Sequence, residues 1–171
     1  RGCHYACGFC YNQEFNKRRW RAHSAGFVVS QLTRLKEKYK LDGLLFLDDE
    51  FFVNKERGFE IVERVGLPYY ANARVEYADE EFATRLNNAK CRMIMFGMES
   101  GSNRVLKEIV NKGSTVEESI KAVEIISKYK HIEITVSFIF ALSGETFEEF
   151  RDSQILITKL LKIHPKMTVC T

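Results

Sequence analysis

The 171-residue chain has only two prolines, a single tryptophan and no low-complexity stretch. With 45% hydrophobic residues, that excludes a disordered or linker-like chain and leaves enough apolar side chains for one sizeable core. No apolar run approaches the ~20 residues needed to span a bilayer, so no membrane segment is expected. No large excess of one charge exists either. Twenty-six Lys and Arg against 23 Asp and Glu leave a net charge of +3, too little to imply nucleic acid or a membrane surface as a partner. A disulfide framework is also missing. Five cysteines, three of them crowded at one end, form an odd and poorly spaced set that suits a reducing cytoplasm.

What stands at that end decides the chemistry. Cys3-His4-Tyr5-Ala6-Cys7-Gly8-Phe9-Cys10 is a C-x3-C-x2-C triplet. Three thiolates on one short loop can hold three corners of a soft-metal centre, and the absence of an adjacent fourth cysteine leaves one corner open for chemistry. Zinc could add His4, but neighbouring ligands at Cys3 and His4 diverge on a short loop, and zinc sites usually draw their ligands as two pairs. A 4Fe–4S cluster takes one thiolate per iron and accepts an exogenous ligand at the fourth. Spacing alone leaves both metals open and favours iron–sulfur. Free exposed thiols are the weakest alternative, because they oxidise readily. His4 reads as a loop residue, and Cys91 and Cys170 read as buried core cysteines.

Behind the triplet, helical and strand patterns alternate. Helices are expected at 24–39, 55–65, 79–89, 103–111, 115–129 and 145–163, and strands at 43–47, 68–73, 92–96, 132–142 and from 167. The strands are near-continuous apolar runs, as in parallel sheets buried on both faces. Repeated βα units predict an α/β fold, an open sheet or a barrel, with ligands at the C-terminal strand ends. Asp48-Asp49-Glu50, Asn72 with Arg74, Glu99-Ser100 and Ser143-Gly144-Glu145 each follow a strand.

The cysteine spacing with an aromatic, Phe9, before the third cysteine resembles the cluster loop of the radical S-adenosylmethionine (radical SAM) superfamily. Gly8-Phe9-Cys10-Tyr11-Asn12 followed by Trp20-Arg21 is similar to its cobalamin-associated branch. The resemblance implies a partial (β/α)6 barrel, here lacking the first strand and the last unit, so that residues 1–171 are the core domain of a longer protein. It implies that Cys3, Cys7 and Cys10 bind a 4Fe–4S cluster whose bare iron is chelated by S-adenosylmethionine, and that one electron from the cluster cleaves the sulfonium to a 5′-deoxyadenosyl radical. Cobalamin, where used, would sit in a domain outside this chain. The implied partners are a small-molecule substrate and a reductant such as flavodoxin or ferredoxin.

Most members carry Gly-Gly-Glu where this chain has Asp48-Asp49-Glu50. One of these three carboxylates is expected to meet the methionine ammonium as a charge-assisted pair. Glu99-Ser100 resembles the ribose-contact segment, since a carboxylate can accept from both hydroxyls. Gly97 and Gly101 would let the backbone approach the ligand. Arg74 is aimed at a carboxylate of cofactor or substrate, or else at a loop acid. Lys17-Arg18-Arg19-Trp20-Arg21 reads as a loop shielding the cluster or binding an acidic surface, rather than as a nucleic-acid site. Rival functions are a radical SAM methylthiotransferase acting on RNA, and an iron–sulfur or zinc module without chemistry. No residue is assigned to the catalytic step itself.

Overall fold

The computed structural model describes residues 1–171. A short helix α1 (Asn12–Phe15) follows the cysteine loop. Then come α2 (Ala25–Tyr39), β1 (Leu44–Leu45), α3 (Lys55–Val65), β2 (Tyr69–Ala73), α4 (Glu80–Asn88), β3 (Cys91–Glu99), α5 (Val116–Ile126), β4 (Glu133–Phe138), α6 (Phe147–Ile163) and β5 (Thr168–Cys170). All five strands are parallel, in the order β1-β2-β3-β4-β5. Strands laid down in chain order form a barrel wall; a doubly wound sheet would reverse direction partway.

The helices begin where side chains can satisfy free N–H groups. Ser24, Asn54 and Asp79 accept from Phe27, Arg57 and Phe82. Thr115 with Glu118 and Thr146 with Glu149 form reciprocal capping boxes on α5 and α6. Gly66 ends α3 in the left-handed conformation, which costs glycine little. The core lies between helices and sheet, and Phe52, Phe59 and Phe82 make edge-on and tilted aromatic contacts within it.

Four expectations need correction. The 43–47 run is an edge strand of two residues, with Leu45 61% and Leu47 83% exposed, because only β2 pairs with it. The 132–142 strand ends at Phe138: Ile139 N–H turns to the Glu99 carbonyl, and Ala141 takes a positive φ. Cys170 is exposed, whereas Cys91 is buried as expected. The 103–111 helix is a π-helical turn at Val105–Ile109, and its wider winding presents the Val110 carbonyl to Gly8 N–H at 2.6 Å.

Candidate active site

That π-helical turn seats the cysteine loop. Besides the Gly8 bond, the Asn111 side-chain amide donates to the Ala6 carbonyl at 3.1 Å. Gln13 on α1 donates to the Cys7 carbonyl at 2.7 Å. A Cβ on Gly8 would come within 2.8 Å of the Ile109 carbonyl, so glycine permits this close seating. All five cysteines are free.

Cys3, Cys7 and Cys10 open on one cavity of about 300 Å³ at the C-terminal ends of β2, β3 and β4. Three thiols with no fourth cysteine beside them suit a cluster in which each serves a different iron and the last iron is left for an outside ligand, whereas a closed zinc site takes four protein ligands. The donor set therefore fits an iron–sulfur cube. Burial pushes the Cys3 thiol above its ordinary pKa, a shift that metal binding reverses because it takes the thiolate.

The same cavity receives Phe9, Asp49, Glu50, Arg74 and Glu99. Of the three consecutive acids, Glu50 alone is buried. It accepts from Phe52 N–H at 3.0 Å, and desolvation raises its pKa to about 8, only partly offset by that bond and by Arg74 and Lys112. Asp49 sits at the rim and accepts from the Tyr11 hydroxyl at 3.1 Å. Asp48 lies outside the cavity and is half-buried.

Glu99 ends β3 with φ +66°, after a bulge against β4 that carries Met98 as the extra residue. A bulge re-aims the side chain that follows it, and here it turns Glu99 into the cavity. There Glu99 accepts from Lys112 at 2.6 Å, an ion pair with both side chains buried, and from the Ser137 hydroxyl at 3.4 Å. Gly97 leaves room for this pair: a Cβ there would meet both the Glu99 carboxylate and the Lys112 ammonium. Gly101 plays a different part from the one expected. Its missing Cβ would strike the α6 backbone at Asp152, so it serves helix packing. Ser100 also faces α6, with its hydroxyl 3.4 Å from that of Ser153, and it does not line the cavity.

Arg74 is engaged with the loop acid. It pairs with Glu76, donates to the Lys112 carbonyl, lies 3.8 Å over the Tyr5 ring and points one N–H at Cys7 Sγ, 3.6 Å away. It therefore ties the cysteine loop to β2 and to the Lys112 segment. Sequence reasoning missed Lys112. Its only signal was indirect: a carboxylate buried as deeply as Glu99 needs a cation, and the sequence does not show how deep Glu99 lies.

A parallel βα wall with an open-cornered thiolate triplet at its C-terminal end defines an iron–sulfur enzyme core. The radical SAM superfamily model matches residues 1–156, and the chain belongs to that superfamily, whose cofactors are a 4Fe–4S cluster and S-adenosylmethionine. It is 34% identical over its whole length to an uncharacterized methyltransferase of Pyrococcus horikoshii, spanning 38% of that protein. It is 27% identical over 90% of its length to the cytidylyl-2-hydroxyethylphosphonate methyltransferase of Streptomyces wedmorensis, spanning 30% of it. The chain thus spans 30–38% of the length of these curated relatives. Among solved structures, the radical S-adenosylmethionine methyltransferase TsrM from Kitasatospora setae superposes with a TM-score of 0.80 at 22% identity. That match covers 93% of this chain and 32% of TsrM. The cobalamin-dependent radical enzyme OxsB superposes at 0.73, with 21% identity over 91% of this chain and 25% of OxsB. At such identities these structures establish the fold alone. No helix is long and apolar enough to cross a membrane.

Proposed function

We propose that this chain is the core of a radical SAM methyltransferase or a related C–H-functionalising enzyme, with Cys3, Cys7 and Cys10 each binding one iron of the cluster. The observation that carries this reading is the opening of all three thiols on the cavity that also holds Glu50 and the Glu99–Lys112 pair. When bound, cluster and S-adenosylmethionine supply one-electron cleavage of the sulfonium to a carbon radical. The protein binds, orients and keeps out water.

Glu50 is suited to the methionine ammonium. Its burial disfavours the lone carboxylate, and an incoming cation would restore the ionised form and gain a charge-assisted bond. Glu99 can present acceptors to the ribose hydroxyls while its bond to Lys112 holds the carboxylate in place. Phe9 and Met95 contribute apolar wall to the cavity. Arg74 positions Cys7. Methyl transfer is supported by the names of the two curated relatives. A cobalamin role is supported by the OxsB likeness and would need a domain outside residues 1–171. A small-molecule substrate, a low-potential reductant and a cytoplasmic location complete the reading.

Anaerobic reconstitution of the intact protein, followed by electron paramagnetic resonance of the reduced cluster with and without S-adenosylmethionine, tests it. The expected result is a reduced 4Fe–4S signal that changes on adding S-adenosylmethionine, and Cys7→Ala should lose cluster and reductive cleavage together. A signal indifferent to S-adenosylmethionine, or a zinc-loaded protein, overturns it.

A further inference from the structure

The turn after β2 and the cysteine loop are joined through one guanidinium. Arg74, 6% exposed, precedes the one-turn helix Val75–Tyr77. Its Nε donates to Glu76 Oε1 at 3.0 Å, and its Nη2 donates to the same oxygen and to the Lys112 carbonyl. Nη1 points an N–H at Cys7 Sγ, 3.6 Å away. A guanidinium has five N–H groups, so only the second N–H of Nη1 is left over. One N–H cannot grip a carboxylate in the two-pronged way that an arginine clamp does. Arg74 is therefore committed to the cysteine loop rather than to a ligand.

The N–H aimed at Cys7 is held from two sides. Tyr5, two residues before Cys7, places its ring centroid 3.8 Å from the guanidinium carbon, and its hydroxyl meets that of Tyr77 at 2.8 Å. Glu76 has Arg74 as its ion-pair partner, and its other oxygen, Oε2, is buried without a hydrogen-bond partner. A guanidinium stays charged at any ordinary pH. The N–H it donates to a thiolate sulfur stabilises negative charge there, and more strongly away from water. The Glu76 carboxylate sits on the same guanidinium and offsets part of its charge.

We propose that Arg74 is a positioning residue that raises the reduction potential of the cluster through Cys7, and that Glu76 limits that rise. A ligand sulfur carries more negative charge once an electron has entered the cluster, so a cationic N–H donor favours the reduced form. Glu76 opposes this by offsetting the donor's charge. The two members of one ion pair thus act on the potential in opposite directions. One electron enters from a low-potential donor, dithionite in the test, and no bond forms or breaks. The inference rests on the cluster assignment made above.

The reconstituted intact protein is titrated with dithionite and mediators, without S-adenosylmethionine, and the reduced cluster is followed by electron paramagnetic resonance. Wild type is compared with Arg74→Gln, Arg74→Lys and Glu76→Gln. Arg74→Gln should lower the one-electron equilibrium constant for reduction about tenfold, a midpoint shift of about 59 mV to more negative values. Arg74→Lys keeps the charge without the fork and should fall between wild type and Arg74→Gln. Glu76→Gln keeps the shape and loses the charge, and should move the midpoint the other way by a smaller factor. General loosening of the loop would move all the variants in the same direction, so shifts of one sign overturn the inference. An unchanged midpoint in Arg74→Gln also overturns it, and leaves the cluster in place. If Arg74→Gln holds no cluster, the sign of the Glu76→Gln shift decides. A wild type with no reducible 4Fe–4S signal overturns the cluster assignment itself, and this inference with it.

Discussion

The two walls of the cavity treat a buried carboxylate in opposite ways. On the β3–β4 wall, Glu99 has a lysine at 2.6 Å and its place is set by a bulge. On the β1–β2 wall, Glu50 is equally buried, forms no ion pair and is bonded by one backbone N–H. A compensated carboxylate is a finished piece of architecture. An uncompensated one costs free energy until a cation arrives. The contrast makes the Glu99–Lys112 pair a fixed part of the cavity wall and leaves Glu50 a buried acid there without an ion-pair partner.

The largest effect should come from breaking the finished pair. Lys112→Met leaves Glu99 buried and alone, and should destabilise the cluster-free protein by about 3–5 kcal/mol in urea unfolding. Adding Glu99→Gln should recover much of that loss. If Lys112→Met is neutral, the pair is not compensating anything and the comparison collapses.

Gly97→Ala presses a methyl group against the same pair. It should cost about 1–3 kcal/mol by displacing the two side chains, with the loss shrinking in the Lys112→Met background, where the coupling is gone.

Glu50 should appear in the pH profile. Its folded pKa, about 8, exceeds the unfolded value near 4.5, so between those values the folded state holds a proton that the unfolded state lacks. Stability of the cluster-free protein should therefore be fullest below about pH 4.5 as far as Glu50 is concerned. It should fall as pH rises toward 8, by up to about 1.4 kcal/mol per unit. Glu50→Gln should flatten that window. A profile that is already flat in wild type would mean Glu50 is compensated after all.

The smallest effect belongs to a site remote from both walls. Thr115→Ala removes the α5 capping box and should cost about 1 kcal/mol without altering the pH profile of Glu50. A changed profile would show that the two walls respond to general loosening rather than to local charge.

Much of this was legible beforehand for simple reasons. Apolar periodicity and caps mark βα units because burial and hydrogen bonding act over a few residues, and five strands and the long helices fell close to their expected places. The thiolate triplet was visible because its three ligands share eight residues. The π-helical turn escaped, since its winding answers to the cysteine loop that docks on it, about a hundred residues away in sequence. The short edge strand escaped too, because composition shows that Leu45 and Leu47 are apolar and not which neighbours they lack.

The sequence by itself determined the class of fold, the candidate metal ligands and the set of acids gathered at strand ends. Only the tertiary structure decided among those acids. It put Glu50 inside and Asp48 outside, turned Ser100 toward α6, and brought Lys112 from a separate turn to Glu99. The physical reason is that depth and pairing set the free energy of a charge, and both depend on neighbours that are distant along the chain.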